Sequence, residues 1–554
     1  MKKRQWIILI LILILALFLR FWQLGQTPKG FYCDEASLGY SAFSIMKTGK
    51  DEFGKEFPLL FRSFSTFQAP IYIYLLIPIY KIFGMSVWST RALSAIVGMV
   101  GIWFSFWLVK NLSKKTNLAI IAALLLAISP WYLMYSRTSY ETNVALTFFI
   151  ISLWSFYKFR ENKNYLILTA IMAALAFLSY NSERVVVPLV FLILFGKEYK
   201  YFFDKKYLKT LLIAIVFGLV IIAPTIKLMS TPGFLSRLNS LSIFSKEVKD
   251  PWSFDKDLIG WKNAVFNNRL ILNIREFGAL YVSYFSPRYL FELGDPGPRS
   301  SYPDLAPFLW WQLPFWLIGL IWLFNKTKNE DKEIKFLIIL MMIVSPIPAS
   351  VTRDPFSSIR ALPLVLPLSI LTAIGLNKFL KKYKQIGKII LICLVLWSLG
   401  KIYLSVFKFN DYFRGLDWEI GIEEMVEQIK NEKSPVMVCN RAEIYSQVLF
   451  FTKADPKKYQ EDNFEVSKDD YYSDMNRNKN KIIGNITVKE LDWGKDIEKE
   501  QIIVADLLYI NETQIKEHCL TKVFEIKDRN NNVLFMGLKT NPELKKEKGG
   551  RGCL

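Results

Sequence analysis

Four short polar clusters hold the residues able to do acid–base or anion chemistry. The first is Gly30-Phe31-Tyr32-Cys33-Asp34-Glu35-Ala36, directly after a hydrophobic segment, Trp6–Trp22. Its two carboxylates open what reads as a helix over Asp34–Met46. An acidic first turn favours the helix dipole. The same carboxylate could equally serve as a general base, taking a proton from a nucleophile. The second cluster runs from Ser136 to Asn143 and contains Arg137 and Glu141. Four residues apart, they share a face if the segment is helical, either as a local ion pair or as part of an anion site. Tyr180-Asn181-Ser182-Glu183-Arg184 is the third, and Arg353-Asp354 with Arg360 the fourth. An arginine fork can hold two phosphate oxygens, although arginines at a membrane boundary also simply snorkel.

The elements that must position these clusters are apolar. Of 554 residues, 52% are hydrophobic and 15% aromatic, and the apolar residues come in blocks too long for a soluble core. Candidate spans are Trp6–Trp22, Trp88–Val109, Leu118–Met134, Val144–Phe159, Tyr165–Tyr180, Val185–Phe195, Tyr207–Leu228, Phe308–Phe324, Phe336–Val351, Ile359–Leu376 and Ile389–Phe407. Lys/Arg clusters occur at the N-terminus and at Lys110–Lys115, Lys158–Lys163, Lys197–Lys209, Lys326–Lys335 and Lys378–Lys388. All face the cytoplasm if Pro70–Phe83 does not cross fully, as the positive-inside rule prefers. Pro70–Phe83 then belongs to a first outer loop, 23–87, as an interfacial or re-entrant helix. All four clusters fall on the outer face at span ends, where inward-facing ionisable residues mark a substrate path.

From Asn410 the chain changes character. Helices alternate with strands, predicting a small soluble α/β domain over 410–540, with a charged, disordered tail over 541–554. Trp418–Asn431 reads as an amphipathic helix. Pro435–Cys439, Gln447–Thr452, Lys481–Leu491, Gln501–Ala505 and Val533–Leu538 read as strands. The long outer loop 230–307 has the length of a functional loop and could act as a lid. The net charge is +21, yet the stretch from Asn410 is slightly acidic, so the excess lies in membrane loops and argues against a nucleic-acid partner. Five cysteines show no paired spacing, and the single histidine, His518, lies in the tail. No histidine triad or histidine metal site can sit in the membrane part.

The order of the motifs makes the sequence resemble the bacterial members of the GT-C glycosyltransferase superfamily, near the protein O-mannosyltransferase and lipid A aminoarabinose transferase group. The residues that carry the resemblance are Gly30 to Ala36, Gln68-Ala69-Pro70-Ile71-Tyr72, Ser129-Pro130-Trp131 with Ser136-Arg137 and Glu141, Tyr180 to Arg184, and Arg360-Ala361-Leu362-Pro363. It covers residues 1–407, with the tail as a lineage-specific addition. It implies an α-helical polytopic membrane protein of GT-C fold, with about 11 to 13 transmembrane helices over 1–409 and a C-terminal soluble α/β domain. It lies in the cytoplasmic membrane, with its N-terminus cytoplasmic and its C-terminal domain outside.

Such enzymes move a sugar from a polyprenyl-phosphate donor to an acceptor hydroxyl of a glycan, lipid or protein. By resemblance Asp34 is the base, supported by Glu35. Arg137, Arg184 and Arg360 are the donor-phosphate contacts, and Glu141, Tyr180, Gln68 and Arg353 line the pocket. Where the aminoarabinose group has Lys-Pro-Pro, this chain has Gln68-Ala69-Pro70, so the lysine that would meet the carrier phosphate is missing. Glu35 and Glu141 could instead hold a divalent metal, as carboxylates do in related oligosaccharyltransferases. The metal-independent reading is preferred. The rival readings are a transporter or flippase of lipid-linked sugars, which would need charges near mid-span and internal repeats, and a non-catalytic scaffold acting through its tail.

Overall fold

A computed structural model describes residues 1–64, 66–234, 242–244, 269–325, 331–439, 443–463, 470–473 and 480–547. Much of the expected lid, 230–307, therefore lies outside the described residues. In chain order the first helices are α1 (Lys3–Phe21), α2 (Cys33–Thr48), α3 (Pro70–Phe83), α4 (Val87–Ser113), α5 (Thr116–Ala127), α6 (Pro130–Arg137), α7 (Glu141–Lys158), α8 (Tyr165–Ser179) and α9 (Glu183–Lys197). The chain divides into two compact units. One comprises Met1–Leu24 and Arg91–Phe409, the other Gly25–Thr90 and Asn410–Leu554. The first outer loop thus groups with the residues from Asn410 onward.

The first unit is helical. Among the described residues five helices are long and apolar enough to cross a membrane: Lys3–Phe21, Val87–Ser113, Lys205–Ile226, Lys332–Ser350 and Leu362–Arg414. A sixth results if α5 and α6, bent by 58° at their junction, count as one span. Tyr165–Ser179 and Trp310–Phe324 are apolar but shorter. Leu11, Ile14, Phe18, Val216 and Val220 are exposed, an arrangement suited to lipid rather than water.

Three local features have clear causes. The expected span Leu118–Met134 breaks because Pro130 cannot continue α5; Ser129 caps the new helix by accepting the Tyr132 N–H. The two last expected spans fall largely within Val365–Leu404, as two helical stretches that meet at a kink at Lys384 (φ 42°, ψ −111°), inside the lysine-rich connection. Gly319 and Gly375 bring the Leu313–Phe324 helix against Val365–Leu404. A Cβ on Gly319 would lie 2.1 Å from the Leu371 oxygen, and one on Gly375 1.9 Å from that of Phe315. Close backbone approach through small residues is how helices pack without a hydrophobic driving force.

The second unit contains two sheets. A hairpin pairs β1 (Phe61–Ser63) with β2 (Thr66–Gln68). The tail folds as a six-stranded mixed sheet from β3 (Val436–Cys439), β4 (Lys481–Ile483), β5 (Ile486–Lys489), β6 (Ile502–Ala505), β7 (Thr521–Lys527) and β8 (Val533–Lys539), in the order β4-β5-β3-β6-β8-β7. β3 is parallel to β5 and β6 and buried on both faces, as its continuous apolar run requires. Met437, Ile503, Met536 and Leu538 form its core.

Several tail expectations change. Gln447–Thr452 is not a strand but the body of a helix, Tyr445–Thr452, because a short apolar run has no period to distinguish the two. Lys481–Leu491 is a hairpin folded at Gly484, with φ 64°. The helix expected from Trp418 begins only at Ile422, since Glu419 (φ 59°) and Gly421 (φ 90°) are left-handed. Pro542–Glu547 is helical, where disorder was expected; the residues after Glu547 lie outside those described. Cys519 is disulfide-bonded, which sequence spacing did not signal, while Cys33, Cys393 and Cys439 form no disulfide.

Candidate active site

In the second unit, Asp34 and Glu35 occupy the first turn of α2. Successive helical positions point about 100° apart, and burial separates the two carboxylates. Glu35 is fully buried, on the side where Tyr80 of α3 feels its charge. Asp34 is half-buried. Tyr32 is the N-cap, and its side chain makes no cap hydrogen bond. The first helical N–H, that of Cys33, donates instead to Oε2 of Glu419 at 2.9 Å. Gln68 ends β2, buried, and its Oε1 has no hydrogen-bond partner.

In the first unit, the bend at Pro130 turns α6 so that Trp131, Tyr135 and Arg137 all point inward; each is buried. Arg137 donates through Nη1 to the carbonyls of Leu19 (2.7 Å) and Arg20 (3.2 Å) and lies over the Phe407 ring at 4.8 Å. Arg20 donates to the Ala16 and Ala127 carbonyls and lies over the Tyr132 ring at 5.3 Å. Its Nε and Nη2 are buried and without a hydrogen bond. Arg20, Arg91 and Arg137 are all fully buried, and all three act on Tyr302. Burial pushes the Tyr302 hydroxyl up to about 12, against the pull of Arg137, Arg91 and Arg20. Three buried cations thus act on one phenol within an apolar bundle. Arg20 and Arg91 were missed in the sequence because each reads as an interruption of a span. An arginine inside a span is itself the signal.

A second cluster adjoins the C-terminal end of the outer loop. Asp295 accepts from the Ser358 N–H at 2.6 Å, from its hydroxyl at 2.7 Å and from the Gly297 N–H at 2.8 Å. Burial raises its carboxyl above the usual range, opposed by those hydrogen bonds. Ser358 also pairs with the Tyr135 hydroxyl at 2.7 Å, and its carbonyl takes the Trp131 indole N–H at 2.9 Å. Ser300 and Tyr302 thus sit on a loop pinned at Ser358, within reach of α6.

The other expected residues are distributed around these two groups. Arg360 pairs with Asp354 and donates to Thr352 at 2.9 Å, with Tyr180 and Tyr284 as electrostatic neighbours. Arg353 donates to the Ser242 carbonyl at 3.1 Å. Arg184 stacks over Phe234 at 4.1 Å. Glu183, its neighbour, is fully buried with neither carboxylate oxygen hydrogen-bonded to another side chain, and burial raises its carboxyl well above the usual range. Arg137 and Glu141 do not share a helix face. α6 ends at Arg137, Thr138 is extended, and Glu141 starts α7. Arg137, Arg184 and Arg360 therefore have three different sets of partners. Among the described residues no group of three or more His, Cys, Asp or Glu could hold a metal ion.

Residues 68–227 match the family model described as dolichyl-phosphate-mannose-protein mannosyltransferase. The fold is shared with ArnT from Cupriavidus metallidurans in the apo state, at 12% identity and TM-score 0.55, covering 97% of this chain and 98% of that one. The same protein bound to undecaprenyl phosphate matches with TM-score 0.53 at the same identity and coverage. No curated protein matches the sequence. The coverage extends the likeness in fold beyond residue 407, so the tail is not an addition foreign to it. The family match covers residues 68–227, and the likeness to the solved structures is one of fold.

Proposed function

We propose that this chain is an integral-membrane glycosyltransferase that moves a sugar from a polyprenyl-phosphate donor to an acceptor hydroxyl at the outer face of the cytoplasmic membrane. The observation that carries this reading is that three buried arginines, Arg20, Arg91 and Arg137, all act on Tyr302, with Nε and Nη2 of Arg20 left without a hydrogen bond. Buried cations are costly, and a site that accumulates them is suited to an anion that arrives with its own lipid tail. Polyprenyl phosphate is such an anion. ArnT, whose fold this chain shares, has been solved with undecaprenyl phosphate bound.

In this reading Asp34 accepts the proton of the acceptor hydroxyl. The acceptor oxygen attacks the anomeric carbon, and the bond from that carbon to the phosphate oxygen breaks. The electron pair leaves with the polyprenyl phosphate, whose added charge Arg20, Arg91 and Arg137 neutralise. Attack opposite the leaving group inverts the anomeric centre. Glu35 supports α2 from its buried position. Arg360 with Tyr180, and Arg184, Glu141, Gln68 and Arg353, line the path of donor and acceptor. The spans number about 11 to 13, with the N-terminus cytoplasmic and the tail outside, as the placement of Lys/Arg clusters favours.

The test uses purified wild type and Asp34→Asn in lipid with a panel of polyprenyl-phosphate sugars. Donor binding and release of free carrier phosphate are measured in the same samples. The expected result is release by wild type only, a loss of about 100- to 10,000-fold on removing a general base, with binding kept by both. Equal turnover by both proteins would remove Asp34 from the mechanism. Binding and transbilayer movement of the donor without release, across acceptor classes, would favour a transporter.

A further inference from the structure

The N-cap residue of helix α2, Tyr32, makes no side-chain cap hydrogen bond, and both ends of the helix are held from the C-terminal domain. At the N-terminal end Glu419 accepts the Cys33 N–H. Gln447 donates to the same Glu419 oxygen and to the Phe31 carbonyl at 3.0 Å, and Ser446 donates to the Cys33 carbonyl at 3.2 Å. The Phe31 ring packs on Phe450 at 4.6 Å. At the other end Gln460 donates to Ser44 (3.0 Å), Thr48 (3.2 Å) and the Asp51 carbonyl (2.8 Å).

Glu419 is the unusual member of this set. It is a non-glycine residue at φ 59°, a conformation that persists only where its surroundings impose it. Its turn is pressed against Gly30, itself at φ 93°, where a Cβ would lie 2.2 Å from the Trp418 oxygen. The effect is to deliver a carboxylate to the Cys33 N–H at the positive end of α2, next to Asp34. A charge-assisted hydrogen bond there is stronger than a neutral one.

We infer that Glu419 is a positioning residue for the reaction: it fixes the first turn of α2 and so the direction in which Asp34 presents its carboxylate. The inference rests on the reading of Asp34 as base. It gives the C-terminal domain a part in the chemical step in addition to any role in binding an acceptor. Glu419 itself touches neither donor nor acceptor in this account.

The test compares Glu419→Ala, Glu419→Gln and Asp34→Asn in the full-length protein in lipid. It reads kcat for carrier-phosphate release, donor Kd, and hydrogen exchange at the Cys33 amide. Glu419→Ala should lower kcat on the order of 100-fold, the cost of a misplaced group, at unchanged donor Kd, and should speed exchange at Cys33. Glu419→Gln keeps an oxygen acceptor and should restore most of the rate and the exchange protection. Wild-type kcat in Glu419→Ala, or a rise in donor Kd as large as the loss in kcat, would overturn the inference. Should Glu419→Ala fail to fold, Glu419→Asp withdraws the acceptor by one methylene and the same comparison applies. Full turnover by Asp34→Asn would instead refute the base, while amide exchange still reports whether Glu419 holds the turn.

Discussion

Nη1 of Arg137 lies 2.7 Å from the main-chain oxygen of Leu19, so the last residue of α6 is tied to the final turns of α1. Arg137 also acts electrostatically on Tyr302 and on Arg20. A phosphate contact by Arg137 predicts that Arg137→Ala weakens donor binding by about 10- to 100-fold, the value of a charged hydrogen bond. Arg137→Lys keeps the charge and loses the fork, so it should recover only part of the affinity. Equilibrium binding of a polyprenyl-phosphate sugar in lipid nanodiscs measures both.

Arg20 allows a sharper separation of binding from stability. Its Nε and Nη2 are buried without partners, so in the absence of an anion the charge is a burden on the fold. Arg20→Met preserves an unbranched, apolar shape. Without donor, its thermal unfolding temperature should equal or exceed that of wild type. Donor should raise the melting temperature of wild type and much less that of the variant, because ligand stabilisation follows affinity. A variant that is less stable without donor would assign Arg20 a purely structural role.

The sequence made some of this legible and hid the rest for physical reasons. Helix α2 and helix Pro70–Phe83 emerged close to their real limits because caps, prolines and apolar period agree there. The break before Arg137 is announced by Ser129-Pro130, yet hydropathy alone runs straight through it. Arg20 and Arg91 lay in plain view but look like span interruptions until folding brings them to Tyr302. Glu419 could not have been found at all. Its importance comes from a hydrogen bond across 386 residues of chain, and nothing local in Trp418-Glu419-Ile420 encodes it. The helix Tyr445–Thr452 reads as a strand in sequence because its apolar run, Val448-Leu449-Phe450-Phe451, is too short to show a period.

The crossing between Leu313–Phe324 and Val365–Leu404 supplies a stability prediction independent of the chemistry. Gly375 faces the Phe315 carbonyl where a Cβ would sit 1.9 Å from oxygen. Gly375→Ala must push the helices apart, at a cost of about 1–3 kcal/mol for overpacking. Gly319→Ala should do the same at Leu371. The two share one contact, so the double variant should cost less than the two single effects combined. Thermal or denaturant unfolding in detergent measures each, with donor binding in the folded fraction expected to persist.

Asp51 makes the stability of the second unit depend on pH. It is buried, accepts the N–H groups of Phe53 (3.0 Å) and Lys55 (2.8 Å) and the Tyr471 hydroxyl, and lies near Arg62. Burial outweighs those interactions and raises the carboxyl from 3.8 to about 6. Between those two values the folded protein holds a proton that the unfolded chain has released. The unfolded state then binds fewer protons, so unfolding free energy falls as pH rises from about 4 to about 6 and is level outside that window. The full change is about 3 kcal/mol at 1.36 kcal/mol per unit. Asp51→Asn keeps an oxygen for the two amides and cannot ionise, so its unfolding temperature should lose this slope. Amide exchange at Phe53 and Lys55 across the same window locates the effect. An identical pH slope in wild type and Asp51→Asn would mean that another group titrates there.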